Sequence, residues 1–369
     1  MTSACYATWV WLLVPACFHP SYDHPACGPN GECPSGLTCS AQLICERGDV
    51  SDAQSIDAQS IDAAPLPQFL SCVGLPSTCG ANGNDSCCNS PTVIGGTYYR
   101  SYDHATDGYS GNTSYPATVS NFRLDKYEVT VGRFRAFVDA GMGTRSNAPS
   151  AGAGAHASIA GSGWDTSWNG SLVVDKAALV AAVRCSTTYQ TWTDTPGANE
   201  HRPMNCITWY EAMAFCAWDG GYLATEAEWN YAATGGDQQR AYPWSSPAGA
   251  LTPLDGSHAS YFNGTNCVGD GAAGCALTDL VAVGSKPLGD GWWGQSDLAG
   301  NVYEWTLDWY ASIYATPCTN CVNLVAASNR VIRGGSFADD APPLRAGSRD
   351  NFPPTYRNYS IGVRCARTP

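Results

Sequence analysis

The stretch RPMNCITWYEAMAFCAWDGGYLATEAEWNYAATGG, from Arg202 to Gly236, decides how this chain is read. Two helices are written into it. In the first, Thr208 stands three residues before Glu211. At that spacing a hydroxyl and a carboxylate satisfy each other's orphan backbone amides. Ala212, Phe215 and Cys216 then fall on one face, and Gly220–Gly221 stops the run. In the second, Thr225 and Glu228 repeat the device, and Gly235–Gly236 ends it. The acidic first turn suits the positive end of the helix dipole.

Working outward, YEVTVGRFRAFVDAG predicts a third helix. Thr130 is its N-cap, Phe134, Phe137 and Val138 share a face, and Gly141 is its stop. Further upstream, PTVIGGTYYRSYD reads as a strand, an Ile-Gly-Gly bend and a second short strand. Downstream of Gly236 no long periodic segment follows. The chain becomes aromatic and Gly-rich, with short strands expected at Val331–Arg333 and Ile361–Val363. APSAGAGAHASIAGSG, from Ala148 to Gly163, reads as a surface insertion.

Charged residues make up only 14% of the chain, against 39 Gly and 23 Pro, which favours a loop-rich domain over a helical bundle. The net charge of −13 repels phosphate backbones and argues against a nucleic-acid partner. Acidic oxygens suit a hard cation such as calcium. Eighteen cysteines are too many for a reduced compartment unless they bind metal. The sole CxxC is Cys318–Cys321, with no second CxxC to pair with it, so an exported, disulfide-bonded protein is the better reading.

The N-terminus agrees with export. An apolar run from Ala7 to Ala16 is too short to span a bilayer and ends in Leu-Val-Pro-Ala-Cys. This reads as a signal peptide over residues 1–16, with Cys17 lipidated after cleavage, which would tether the protein to the cell envelope or surface. Ordinary signal cleavage and an uncleaved anchor are the alternatives. Residues 17–45 form a small Cys-rich module in which Cys27, Cys33, Cys39 and Cys45 alternate with turn residues. It is too small for its own core, so two disulfides would staple it. It serves as a rigid spacer or as a recognition knob. Residues 46–68 repeat DAQSI and read as an acidic flexible linker with a span of roughly 25 Å. The main domain is expected over residues 69–369.

RLDKYEVTVGRFRAFV, the Arg202–Gly236 stretch, YPW, SDLAGNVYEWTLDWY, and RGGSF followed by IGVRCAR occur here in order. Together they resemble the formylglycine-generating enzyme, or sulfatase-modifying factor, family over about residues 92–367. The resemblance implies an α+β, irregular, loop-rich fold of the C-type-lectin-related type. It also implies that Cys216 pairs with Cys365, with Cys267–Cys275 and Cys318–Cys321 as local loops. Cys185 and Cys206 are then left over as a pair.

Members that oxidise a substrate cysteine to formylglycine hold copper through two cysteines shortly after RGGS. In RGGSFADDAPPLRAGSRD the first position falls at Asp339 and the second around Pro343 or Leu344. Hard carboxylates do not replace thiolates on Cu(I), so copper and the oxidase reaction are not expected. The iron-dependent sulfoxide synthases that share the domain carry a histidine motif that this chain lacks. The resemblance also implies a structural calcium at SDLAGNVYEW, through the Asp297 and Glu304 side chains and the Gly300 and Val302 carbonyls. The alternative is that the two carboxylates only brace the turn. The expected function is a surface ligand-binding or scaffold protein with a protein, peptide or glycan partner, presented on the stretch Phe337–Tyr359. The alternative is an enzyme acting on a peptide or metabolite without cysteine, through Asp339, Asp340 and Arg345. The arginines Arg333, Arg345, Arg349 and Arg364 are expected to brace buried carboxylates.

Overall fold

The computed structural model describes residues 38–39, 45–46, 69–104 and 113–369. The chain divides into two compact units, Met1–Ala63 and Ala64–Pro369. In the first, β1 (Thr38–Cys39) pairs antiparallel with β2 (Cys45–Glu46). The expected signal peptide, the Cys17 anchor, the linker and the rest of the Cys-rich module lie outside the described residues.

The second unit opens with β3 (Thr92–Val93) and β4 (Gly96–Tyr99), on either side of the expected bend. A Cβ on Gly95 would lie 2.3 Å from the Val119 carbonyl oxygen, so only glycine allows that bend its close approach. Then come β5 (Pro116–Val119), β6 (Phe122–Leu124), α1 (Val131–Asp139) and α2 (Lys176–Ala182). Next are α3 (Trp209–Trp218), β7 (Tyr222–Leu223) and α4 (Glu226–Ala233). The chain finishes with β8 (Tyr303–Trp309), β9 (Arg330–Arg333), β10 (Asp350–Phe352), β11 (Ile361–Gly362) and β12 (Cys365–Arg367).

The three expected helices form with their expected caps. The Thr130 hydroxyl accepts from the Arg133 amide, and both Thr-x-x-Glu pairs close as reciprocal capping boxes. One detail differs: residues 209–216 of α3 are buried on every side, so the helix has no solvent face and the Ala212–Phe215–Cys216 stripe is only part of its contact surface. Helix α2 was not expected. Asp175 caps it by accepting from the Ala178 amide, and only Leu179 is buried, so it offered little periodicity.

Two four-stranded sheets carry the unit, in the orders β3-β6-β12-β7 and β10-β9-β8-β11, and β4 pairs with β5. Strand β8 lies antiparallel to β9, with Glu304 opposite Arg333, and parallel to β11. The largest core packs α1 and α3 against β8 and β11 around Phe134, Phe137, Trp209, Phe215 and Trp305. The Cys216–Cys365 disulfide ties α3 to β12 within it. Cys185–Cys206, Cys267–Cys275 and Cys318–Cys321 are joined as well. Cys72–Cys88 and Cys79–Cys87 close the segment whose pairing the sequence left open.

Buried arginines knit the sheets to the helices. Arg133 donates to Asp125 at 2.9 Å and to Asp219 at 2.7 Å, and Arg367 shares both carboxylates. The Arg330 guanidinium lies between the Trp209 and Trp309 rings, 3.6 and 3.7 Å from their centroids. Burial pulls its pKa down to about 9. The Ala148–Gly163 segment is irregular, as an insertion would be, but it also packs inward. His156 Nε2 lies 3.1 Å from Glu228 Oε1, and its ring meets Tyr222 edge-on.

Candidate functional site

Loops at the end of β8 leave a cavity of about 700 Å³. Its floor comes from Asp308 and Trp309 at the end of β8, Glu226 at the start of α4, and Arg349. Residues 311–325 form one wall, and Ser158–Ala160 of the insertion and Arg100 complete it. Ile313 and Val325 on the rim are 69% and 77% exposed, so apolar surface faces solvent at the mouth.

Glu226 is the electrostatic hub of this cavity. Arg349 grips it through two nitrogens, at 2.8 and 2.7 Å, and Arg333 Nη2 donates to it at 2.7 Å. The Tyr314 hydroxyl donates to the same carboxylate at 2.8 Å. Burial alone would raise the Glu226 pKa, but Arg349 and Arg333 outweigh it and hold the carboxyl below its usual range. Asp308, beside it, has no arginine of its own. Its two oxygens accept the Glu226 and Asn323 amides at 2.7 and 2.8 Å. Burial, together with the Glu226 charge, pushes Asp308 up to about 7. The site thus offers a fixed ion-pair lattice, one carboxyl that titrates near neutrality and an apolar mouth, which suits an amphipathic ligand.

The turn before β8 holds a second polar centre. Asp297, at φ +58°, accepts the Gly284 amide at 2.6 Å. Gly300, at φ +84°, has no room for a side chain, since a Cβ would lie 2.2 Å from the Ser260 carbonyl oxygen. Glu304 accepts from Arg364 at 2.7 Å and from the Trp229 indole at 2.7 Å. A third carboxylate, Glu128, joins them by accepting from the Asn301 side chain and the Val302 amide. Sequence reading missed it, because Glu128 stands between β6 and α1, far from the motif. Burial, then Asp297 and Glu304, raises Glu128 well above the ordinary carboxylate range, and burial lifts Asp297 to about 6. Three buried carboxylates face one guanidinium here. Among the described residues no three His, Cys, Asp or Glu side chains converge closely enough to bind a metal by themselves. A hard cation would need further donors such as the Gly300 and Val302 carbonyls, the set that the family resemblance implies.

The cysteine-replacement stretch is organised differently. Asp339 turns back on its own loop and accepts from the Ser336 amide and hydroxyl. Asp340 is exposed, whereas Arg345 is buried in an ion pair with Asp103. Arg333, Arg345, Arg349 and Arg364 all brace buried carboxylates, as expected. Of the stretch Phe337–Tyr359, only Arg349 lines the cavity. Phe337 and Tyr359 pack against Tyr189 instead. Trp293 stacks on Tyr231, while the Trp292 ring lies under the Arg240 guanidinium.

The model of the sulfatase-modifying factor enzyme 1-like domain matches residues 79–369. The chain belongs to the sulfatase-modifying factor family. The mouse formylglycine-generating enzyme is 32% identical over 174 residues, 45% of this chain and 44% of that protein. The enzyme of Thermomonospora curvata is 29% identical over 270 residues, 68% of this chain and 83% of that protein. The aligned stretch thus spans less than half of the mouse relative. Among solved structures, PvdO from Pseudomonas aeruginosa superposes at a TM-score of 0.50 with 20% identity, covering 75% of this chain and 93% of its own. That likeness concerns the fold alone. The copper chemistry of the formylglycine-generating members does not fit the residues present. Thiolates hold Cu(I), and every cysteine in residues 69–104 and 113–369 is closed in a disulfide.

Proposed function

We propose that this member of the sulfatase-modifying factor family is an exported ligand-binding protein without copper oxidase activity. It is held to a membrane by a lipid on Cys17 and displayed on the acidic linker. Its binding site is the cavity at the end of β8, and its partner is a protein, peptide or glycan that pairs apolar contact with a polar group. The observation that carries this reading is the combination of a cavity of about 700 Å³ with the absence of any free thiol in residues 69–104 and 113–369. A structural calcium, held by Asp297, Glu304 and the Gly300 and Val302 carbonyls, would neutralise the carboxylates before β8 and fix the turn. The apolar run before Cys17 and the disulfide-rich domain support export.

The test uses glycan and envelope-peptide arrays probed with the folded, calcium-loaded protein. A reproducible ligand lost on Ala311→Trp, which fills the cavity, supports the assignment. Arrays without a ligand, or ligands indifferent to that substitution, contradict it. The enzymatic alternative through Asp339, Asp340 and Arg345 needs an arginine free to meet a substrate, whereas Arg345 is buried in an ion pair with Asp103, so the binding reading is preferred.

A further inference from the structure

We propose that the Cys318–Cys321 disulfide is a thiol-exchange centre, with Cys321 the sulfur that a dithiol substrate attacks from the cavity. Three observations carry this. First, the disulfide is not needed to hold its loop. The Thr118 amide donates to the Cys318 carbonyl and the Asn320 amide donates to the Thr118 carbonyl, both at 2.9 Å. The Ser120 amide also donates to the Asn320 side chain at 2.7 Å. The loop is thus stitched to β5 on both sides, and with a sequence separation of 3 the bond restrains little chain.

Second, the two sulfurs differ. Cys318 is 4% exposed and packs in the cluster around Tyr98 and Trp229, whereas Cys321 lines the cavity. Third, Arg100 Nη1 lies 3.4 Å from Cys321 Sγ. The same guanidinium binds the Ala315 carbonyl and lies over the Tyr314 ring, and no carboxylate among the described residues pairs with it. A buried cation fixed beside one sulfur of a Cys-x-x-Cys pair stabilises that sulfur as thiolate. Cys185 and Cys275 are more exposed but have no such neighbour among the described residues.

The exchange balances as follows. A substrate thiolate forms a bond to Cys321 Sγ, the Cys318–Cys321 bond breaks, and its electron pair leaves on Cys318 Sγ, which takes a proton. The second substrate thiol then attacks the substrate sulfur of the mixed disulfide. Cys321 departs as a thiolate beside Arg100. The dithiol becomes a disulfide and its second proton goes to solvent, while Cys318 ends as a thiol and Cys321 as the thiolate beside Arg100. A low-molecular-weight disulfide restores them by the reverse route. This chemistry rests on the same cavity as the proposed ligand site. It is separable from that reading, because Arg100→Gln alters exchange without filling the cavity, as Ala311→Trp does.

The test titrates the full-length, natively folded protein with dithiothreitol and maps opened cysteines by alkylation and peptide mass. Cys318 and Cys321 are expected to open first, ahead of Cys267–Cys275 and Cys185–Cys206, each of which has one cysteine more exposed than Cys321. Arg100→Gln should slow exchange about threefold and Arg100→Lys should restore it, since a rise of about one pKa unit at Cys321 enters the rate with a Brønsted coefficient of about 0.5. In Cys318→Ser, Cys321 should alkylate with an apparent pKa below the usual thiol value of about 8.5. Oxidised glutathione should re-close the pair. If Cys267–Cys275 opens as early as Cys318–Cys321, or Cys321 alkylates like a free thiol, the proposal is overturned.

Discussion

Replacing Arg364 by methionine tests the reading of the turn before β8. Arg364 Nε lies 2.8 and 2.7 Å from the two Glu304 oxygens, and Nη2 lies 2.7 Å from Oε1. Its other N–H groups hold the Asp125, Lys126 and Ser296 carbonyls. Glu304 and Arg364 are both fully buried, so solvent cannot take over. Removing one partner of a buried pair costs about 3–5 kcal/mol, because the other charge is stranded. At about 2 °C per kcal/mol for a domain of this size, the melting temperature should fall by about 6–10 °C. Near-UV circular dichroism at one scan rate, disulfides intact, reads the shift. Calcium should recover more of the loss than magnesium, since a site of carboxylates and carbonyls suits the larger ion. A drop below about 2 °C, or equal recovery by both ions, would refute the argument from stranded carboxylates.

Other outcomes follow from the same geometry. Removing the Cys216–Cys365 bridge as a double alanine variant should cost about 5 kcal/mol in the chain-entropy treatment, against about 2.5 kcal/mol for Cys267–Cys275. The separations they close are 149 and 8 residues; equal losses in denaturant titration would contradict that contrast. Asp308 keeps its proton to about 7 in the folded state, whereas an unfolded aspartate releases it near 3.9. The folded state therefore binds more protons across that window, and this contribution to stability falls as pH rises from about 4 to about 7. Asp308→Asn should flatten the fall, measured as the slope of melting temperature against pH; an unchanged slope removes Asp308 from the account. Thr208→Ala should cost about 1 kcal/mol through the lost cap of α3, and a loss under a few tenths would show the box to be redundant.

The helices and their caps were legible because each rests on a local device: a Thr-x-x-Glu box or a paired glycine stop. Strands β9 and β11 were legible as short branched runs. The sheet order was not, since pairing β8 between β9 and β11 depends on residues far apart in sequence. Helix α2 hid because a single buried leucine leaves no stripe. Among the site residues, Asp297 and Glu304 stand in SDLAGNVYEW, a stretch that the family resemblance singles out. Glu128 does not, as it approaches from the connection between β6 and α1. The cavity was illegible for the same reason: its wall of residues 311–325 has no periodicity, and its charged floor joins Glu226, Asp308 and Arg349 from three elements. Arg345 braces a buried carboxylate as expected, but its partner, Asp103, lies too far off in sequence to be read.

Titrating the native, never-reduced protein with Cu(I) against a competing chelator bears most directly on the claim that this domain has no copper-binding sulfur. The protein should retain no copper once the chelator is in modest excess. One equivalent held tightly under those conditions would contradict the account and return the domain to the oxidases of its family.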